Sequence, residues 1–179
     1  FVVPAARFAE LAAAPGDAPS SPLGSRQGER RLSVVLGADL AADVERLRAF
    51  CDDVNGEGWW RGIDAVELRA STPEAIRQAT RAVPDGVERY VEIPISEDPT
   101  PLVRAIAEAG ASAKVRTGGT TTDAFPASDH VVRFLPTCLR QAVPFKATAG
   151  LHHPLRGEYP LTYEPGSACR RMYGFLNAF

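Results

Sequence analysis

Strand-like and helix-like segments alternate along most of this chain, and that alternation constrains its fold more than any other feature. Apolar strand runs recur at intervals of 24 to 32 residues, and amphipathic helical patterns lie between them. A further short run, FVVPA at 1–5, supplies a sixth candidate strand. Strands separated by helices pair in parallel, because each helix carries the chain back along the sheet. The centres of the five regularly spaced strands are Val35, Val66, Val91, Val115 and Ala147.

The polarity of the strand faces separates an open sheet from a barrel. An open α/β sheet has helices on both faces, so its central strands are apolar on both sides. Here, side chains two residues apart, which share one face of a strand, are polar in four consecutive strands. A barrel interior accepts such residues near the carboxyl ends of its strands, where barrel enzymes keep their active sites. The sequence therefore predicts an α/β fold, a partial (β/α)8 TIM-type barrel of about six parallel strands. Its interior polar side chains are Glu67, Arg69, Glu92, Lys114, Arg116, Lys146 and Thr148.

We expect a single β/α-barrel domain over residues 1–179. Residues 15–30 are rich in Pro, Gly and Ser and are predicted to form a flexible loop. After the last strand, residues 152–168 are predicted to be a long loop and residues 169–179 to begin a helix. A complete barrel has more strands than these, and the chain starts with Phe1 rather than Met. We therefore expect a fragment of a longer chain with its terminal strands missing, or a homo-oligomer or partner chain that completes the barrel.

The composition excludes several classes of partner. The chain has 179 residues, 45% of them hydrophobic, and a formal net charge of -2 with both signs interspersed. It has no basic run of the kind that binds nucleic acid and no apolar run near the roughly 20 residues that span a membrane. Its three cysteines are widely spaced and form no C-x-x-C pair, which is typical of free thiols in a reducing cytoplasm. We therefore expect a cytoplasmic protein with no nucleic-acid or membrane partner and with no metal or other cofactor.

Two lysines stand at corresponding positions of adjacent predicted strands. Lys114 and Lys146 are 32 residues apart, and a small-residue turn follows each of them. A lysine is a nucleophile only when its amine is neutral, a state that a second cation nearby favours. Lys114 would then attack a carbonyl group to form a Schiff base, with Arg116 or Lys146 supplying the field. In the alternative, both lysines form structural ion pairs with Glu67 and Glu92.

These segments resemble the class I, Schiff-base deoxyribose-phosphate aldolases, which carry a lysine strand of the form K-T-S-T-G and, one β/α unit later, K-A-A-G-G. The corresponding runs here are KVRTG from Lys114 and KATAG from Lys146, and VVPAARF at 2–8 is similar to the family's second strand. The resemblance implies that Lys114 forms the Schiff base and that Lys146 keeps its amine neutral. It also places Glu67 where the family has an aspartate that helps proton transfer. The run FKATAGLHHP at 145–154 is similar, in addition, to one in uncharacterised bacterial β/α-barrel proteins.

His152 and His153 follow the last predicted strand. Successive side chains of an extended chain diverge, so one of them would face the barrel mouth. We assign His152 as a general acid or base and His153 to substrate binding. Metal binding would need a third ligand such as Glu92 or Glu67, and no H-x-H or H-x-x-x-H spacing supports it. A surface or packing role is the alternative for both histidines.

The run RTGGTTTDAFP at 116–126 lies between a predicted strand and a predicted helix. Its backbone N–H groups and hydroxyls would suit a phosphate or carboxylate. In the alternative, it is a tight turn whose two glycines need positive φ. The predicted substrate-binding residues are Arg69, Arg116, Thr117, Gly118, Gly119, Thr148 and His153. The predicted catalytic residues are Lys114, Lys146, Glu67, Glu92 and His152.

The sequence thus predicts a barrel lyase or aldolase that acts on a small anionic carbonyl compound, phosphorylated or carboxylated, through a lysine Schiff base. Two alternatives stay open. One is a barrel enzyme without a Schiff base, such as an isomerase, a phosphoribosyl transferase or a metal-assisted lyase. The other is a non-catalytic barrel subunit that binds or assembles.

Overall fold

The structure is a computed structural model that describes residues 2–12, 30–54 and 60–178. The loop predicted at 15–30 lies outside the described residues except for Arg30. The chain divides into two compact units, residues 1–69 with 78–90 and residues 70–77 with 91–179.

Within the described ranges, six strands form one parallel sheet and pair in chain order, with helices between them. A doubly wound sheet reverses its strand order at a switch point, whereas a β/α barrel adds each new strand beside the previous one. The order therefore confirms the predicted partial β/α barrel. The strands are β1 (Val2–Pro4), β2 (Arg30–Val35), β3 (Trp60–Arg69), β4 (Glu88–Glu92), β5 (Ser112–Arg116) and β6 (Phe145–Thr148).

Two helix ends lie at residues that are typical of helix boundaries. The Thr72 hydroxyl accepts a hydrogen bond from the Ala75 N–H at 3.1 Å, which caps α3. Gly110 adopts φ +61° just after α4, the left-handed conformation that ends helices. Of the helices in the described part of the chain, none is both long and apolar enough to cross a membrane. They are α1 (Phe8–Ala12), α2 (Leu40–Val54), α3 (Pro73–Ala82), α4 (Thr100–Glu108) and α5 (Ser128–Arg140), with 3-10 turns at Ala5–Arg7, Thr122–Ala124 and Phe175–Ala178.

One face of each central strand carries the apolar core. In the first unit, Val34 of β2 lies opposite Val66 of β3, and both are fully buried. In the second unit, Val91, Val115 and the α5 residue Phe134 are also at most 1% exposed. Because side chains alternate along a strand, the opposite face of these strands is left for the polar residues.

The end of the chain differs from its prediction. Residues Gly157–Pro160 (β7) and Cys169–Met172 (β8) form an antiparallel hairpin, with Tyr159 opposite Arg170. The predicted long loop at 152–168 and the predicted helix at 169–179 are therefore wrong over the described residues. Four-residue strands offer too few positions for an alternating pattern to stand out, and the pairing with β7 decides the conformation of β8.

Candidate functional site

The two lysines lie side by side on the neighbouring strands β5 and β6. Lys114 and Lys146 are register partners in this parallel ladder, followed by the pairs Val115 with Ala147 and Arg116 with Thr148. Partners in register point to the same face of a sheet. The prediction that the lysines occupy corresponding positions on neighbouring strands is confirmed.

A buried ion pair joins the first lysine to β4. Lys114 Nζ lies 2.7 Å from Glu92 Oε2, and the two side chains are only 8% and 11% exposed. Arg116 Nε approaches the other oxygen, Oε1, at 3.8 Å from a half-exposed position. The Ile93 N–H also donates to the Lys114 carbonyl oxygen at 3.2 Å, which holds β4 and β5 in register. Glu92 is thus a desolvated carboxylate between two cations, where electrostatic interactions are stronger than in water.

The carboxyl ends of β5 and β6 are joined by a threonine contact. The Thr117 N–H and the Thr117 hydroxyl both donate to the Thr148 carbonyl oxygen, at 2.9 Å and 3.2 Å. The Thr148 hydroxyl oxygen is itself buried, and it has no hydrogen-bond partner among the described residues. Buried polar atoms are almost always hydrogen-bonded, so this hydroxyl is an exception at the carboxyl end of the sheet.

The glycines after β5 are required by close backbone approach. A Cβ atom on Gly118 would collide with the Ala149 carbonyl oxygen, and one on Gly150 would collide with the Thr117 carbonyl group. The φ angles of Gly118 and Gly119 lie outside the left-handed region, so the alternative that both need positive φ is wrong. The loops that follow β5 and β6 therefore touch backbone to backbone.

Backbone strain is concentrated at the same point. Ala149 and Leu151 adopt φ of 60° and 57°, on either side of Gly150. Non-glycine residues rarely occupy this left-handed region, and such residues cluster at functional sites. The turn after Lys146 therefore has an unusual conformation that its close packing against residues 117–118 maintains.

The histidines are placed in the segment between β6 and β7. His152 is exposed. The ring of His153 stacks on Tyr159 with centroids 3.4 Å apart and planes 8° apart, and its carbonyl oxygen accepts the Phe175 N–H at 2.8 Å. These contacts give His153 a packing role in the hairpin. Across residues 2–12, 30–54 and 60–178, no three His, Cys, Asp or Glu side chains form a group that could hold a metal ion.

Glu67 and Arg69 belong to the first unit. Glu67 is buried, and its Oε1 accepts a hydrogen bond from the Ser33 hydroxyl at 3.1 Å, whereas Arg69 is exposed. The pKa of Tyr90 is raised to about 12, first by its hydrogen bond to Glu88 and then by burial and by the charges of Glu88 and Glu67. Sequence reasoning missed Ser33 and Tyr90 as polar neighbours of Glu67. For Tyr90 the signal is the alternation along β4, because residues 88, 90 and 92 share one face.

Comparison with known proteins returned no relationship. The chain matches no protein-family model, no curated protein and no solved structure.

Proposed function

We propose that this protein is a lyase of the aldolase type, which cleaves or forms a carbon–carbon bond in a small anionic carbonyl compound through a Schiff base on Lys114. The observation that carries the proposal is the lysine pair, Lys114 and Lys146, in register on adjacent strands with Lys114 buried against Glu92.

The choice of residue type supports this assignment. The chain has 20 basic residues, and Lys114 and Lys146 are its only lysines. An arginine stays charged in any protein environment, whereas a lysine can lose its proton and react. The two side chains capable of this chemistry are thus neighbours in register on adjacent strands. The other 18 of the 20 basic residues are arginines.

The contacts provide a route for the protons. Glu92, at 2.7 Å, accepts a proton from the Lys114 ammonium, and the resulting neutral amine is the nucleophile. The neutral amine attacks the carbonyl carbon to give a carbinolamine. Protonated Glu92 then returns its proton to the departing hydroxyl group, and water leaves as the iminium forms.

Glu92, now a carboxylate again, accepts the proton of the substrate's β-hydroxyl group as the carbon–carbon bond breaks. The iminium takes the electron pair of that bond and becomes an enamine, and the first carbonyl product leaves. Protonation of the enamine carbon and hydrolysis of the resulting iminium release the second product and the free lysine.

The surrounding charges favour an anionic substrate. On the described strands β4 to β6, the cations Lys114, Arg116 and Lys146 share a region with the carboxylate of Glu92. Charge-assisted hydrogen bonds to a phosphate or carboxylate are stronger than neutral ones. Arg116 is 45% exposed, so its guanidinium group is accessible to a ligand.

The ion pair itself favours a second candidate. A carboxylate at 2.7 Å stabilises the charged form of Lys114. With Lys114 permanently charged, the same side chains would bind an anion while Glu92 acts as a general base, as in a barrel isomerase. Schiff-base formation distinguishes the two candidates, because only the first requires a neutral amine.

Borohydride trapping tests the proposal. The protein is incubated with small phosphorylated and carboxylated aldehydes and ketones, reduced with borohydride, and analysed by intact mass and peptide mapping. With two lysines in the chain, an adduct can form only on Lys114, on Lys146 or on the terminal amine. We expect the adduct on Lys114. Lys114→Arg retains the positive charge and should abolish it, whereas Lys146→Arg retains the neighbouring cation and should preserve it.

Failure of the trapping has a defined meaning. Folded protein that gives no Lys114 adduct with any carbonyl compound contradicts the aldolase proposal. If the same protein still binds the anionic compounds, and Lys114→Arg binds them equally well, the second candidate is favoured.

A further inference from the structure

A cavity of about 300 Å³ lies in the second unit, beside the loops that follow β5 and β6. It is a partly open cavity, lined by the loop after β5, the first half of α5, the turn after β6 and the strand β8 with the residues that follow it. Its wall is mainly apolar, with polar groups from Thr117, Ser128, Arg170, Arg171 and Asn177. The main apolar side chains of the wall are Phe125, Val131, Leu135, Leu151, Met172 and Tyr173.

The part of the wall near the end of the chain is held in place. Gly174 is buried so tightly against the backbone of residues 153–155 that a Cβ atom there would collide with it. The Phe175 and Leu176 N–H groups donate to the carbonyl oxygens of His153 and Pro154 at 2.8 Å and 3.2 Å. The Gly174 N–H donates to Asn177 Oδ1 at 3.0 Å. The cavity is therefore bounded by anchored backbone, as is usual for a preformed small-molecule site.

The cationic group of the wall that lies beside its apolar surface is Arg170. The Arg170 guanidinium carbon lies 5.3 Å from the centre of the Phe125 ring, so charge and apolar surface meet at one point. The neighbouring Arg171 is paired with Glu158 at 3.1 Å. The pKa of the exposed Asp123 is lowered, first by a hydrogen bond with the Thr121 side chain and to a smaller extent by the charge of Arg170. Asp123 is therefore an acidic neighbour of Arg170.

Size and charge together define the ligand. At the roughly 30 Å³ that a water occupies in the liquid, the cavity has room for about ten non-hydrogen atoms. Its apolar wall favours a hydrocarbon body, and an arginine fork favours a carboxylate. We propose that this cavity binds a small amphipathic carboxylate, with its hydrocarbon body against Phe125, Leu135 and Met172 and its carboxylate on Arg170. The site does not depend on the chemistry of Lys114.

Octanoate is the probe of choice, because its chain length matches the cavity. Isothermal calorimetry would measure its binding to the full chain, with octanol as the uncharged analogue and acetate as the analogue without a hydrocarbon body. Arg170→Gln removes the charge, and Arg104→Gln, on the exposed side of α4, is the matched control. Leu135→Trp fills the cavity.

We expect saturable octanoate binding that Arg170→Gln weakens by at least about tenfold, the effect of losing a charge-assisted hydrogen bond. Octanol binding should be unaffected by Arg170→Gln, acetate should not bind, and Leu135→Trp should abolish binding of both long-chain compounds. Arg104→Gln should behave as the wild type.

Methyl NMR of the wild-type protein locates the ligand without any variant. Octanoate should shift the methyl signals of Val131, Leu135 and Leu151. Octanoate binding that is absent at millimolar concentration, that is insensitive to Arg170→Gln, or that shifts methyl groups elsewhere overturns the proposal. Trapping on Lys114 proceeds in Arg170→Gln if the two sites are independent, so failure of one proposal is separable from failure of the other.

Discussion

Removing the carboxylate of Glu92 should destabilise the fold more than removing the lysine that it contacts. Glu92→Gln leaves the Lys114 ammonium, 8% exposed, without this carboxylate and directly opposite a second lysine, Lys146. Breaking a buried ion pair from one side typically costs about 3–5 kcal/mol, because a desolvated charge is left behind. We expect Glu92→Gln to lie in that range.

The reverse change has a smaller effect. Lys114→Met leaves the Glu92 carboxylate near Arg116, whose Nε lies 3.8 Å from it and whose side chain is 45% exposed. That guanidinium group can compensate part of the lost charge, so the expected cost is about 2 kcal/mol. The double variant Glu92→Gln/Lys114→Met removes both charges and should cost little more than Lys114→Met alone. The coupling energy of the cycle is then about 3 kcal/mol.

Urea unfolding followed by circular dichroism measures all four proteins. Equal slopes of free energy against urea concentration show that the unfolded states are comparable, so the differences report on the native state. Glu108→Gln, at a pair with Arg77 whose side chains are 50% and 41% exposed, is the surface control and should change stability by less than about 1 kcal/mol. Additive single effects, with a coupling energy below about 0.5 kcal/mol, would refute the buried ion pair.

Three further predictions concern other parts of the chain. The pKa of Tyr90, raised to about 12 from 10.0 chiefly by its hydrogen bond to Glu88, means that its contribution to stability is complete below pH 10 and lost as pH rises through 12. Tyrosinate absorbance should show this late transition, and Tyr90→Phe should remove it. Burial raises the pKa of the Cys138 thiol to about 12, so iodoacetamide should alkylate the exposed Cys169 in native protein and Cys138 only after unfolding; equal rates by peptide mapping would contradict the burial. Ala149→Gly should stabilise the fold by about 0.5–1 kcal/mol, since glycine adopts φ 60° without the steric cost of a side chain, and a lower melting temperature would oppose this.

Local sequence signals were sufficient to predict most strands of the sheet and the helices between them. Three helices lie where local signals occur in the sequence. Thr72 caps the start of α3, Gly110 follows the end of α4, and the amphipathic run at 40–54 forms α2. The polar and apolar alternation along the strands predicts which face carries the lysines. These features depend on neighbours within one or two turns, so the sequence records them directly.

Contacts between distant segments could not be predicted from the sequence pattern. The run CRRM at 169–172 becomes a strand because it pairs with Gly157–Pro160, and Gly174 is required by the backbone of residues 153–155. In the same way, the sequence offered both Glu67 and Glu92 as partners of the lysines without ranking them. The structure shows the contact of Lys114 with Glu92. The cavity next to α5 had no signal in the sequence pattern, because part of its wall comes from the hairpin.

The most direct measurement is the position of the borohydride-reduced adduct in the wild-type protein. Peptide mapping after trapping with small anionic aldehydes and ketones should find the added mass on Lys114, with none on Lys146, and the adduct should disappear in Lys114→Arg. Adduct confined to the terminal amine or to Lys146, or none at all in folded protein, would contradict the role proposed for Lys114.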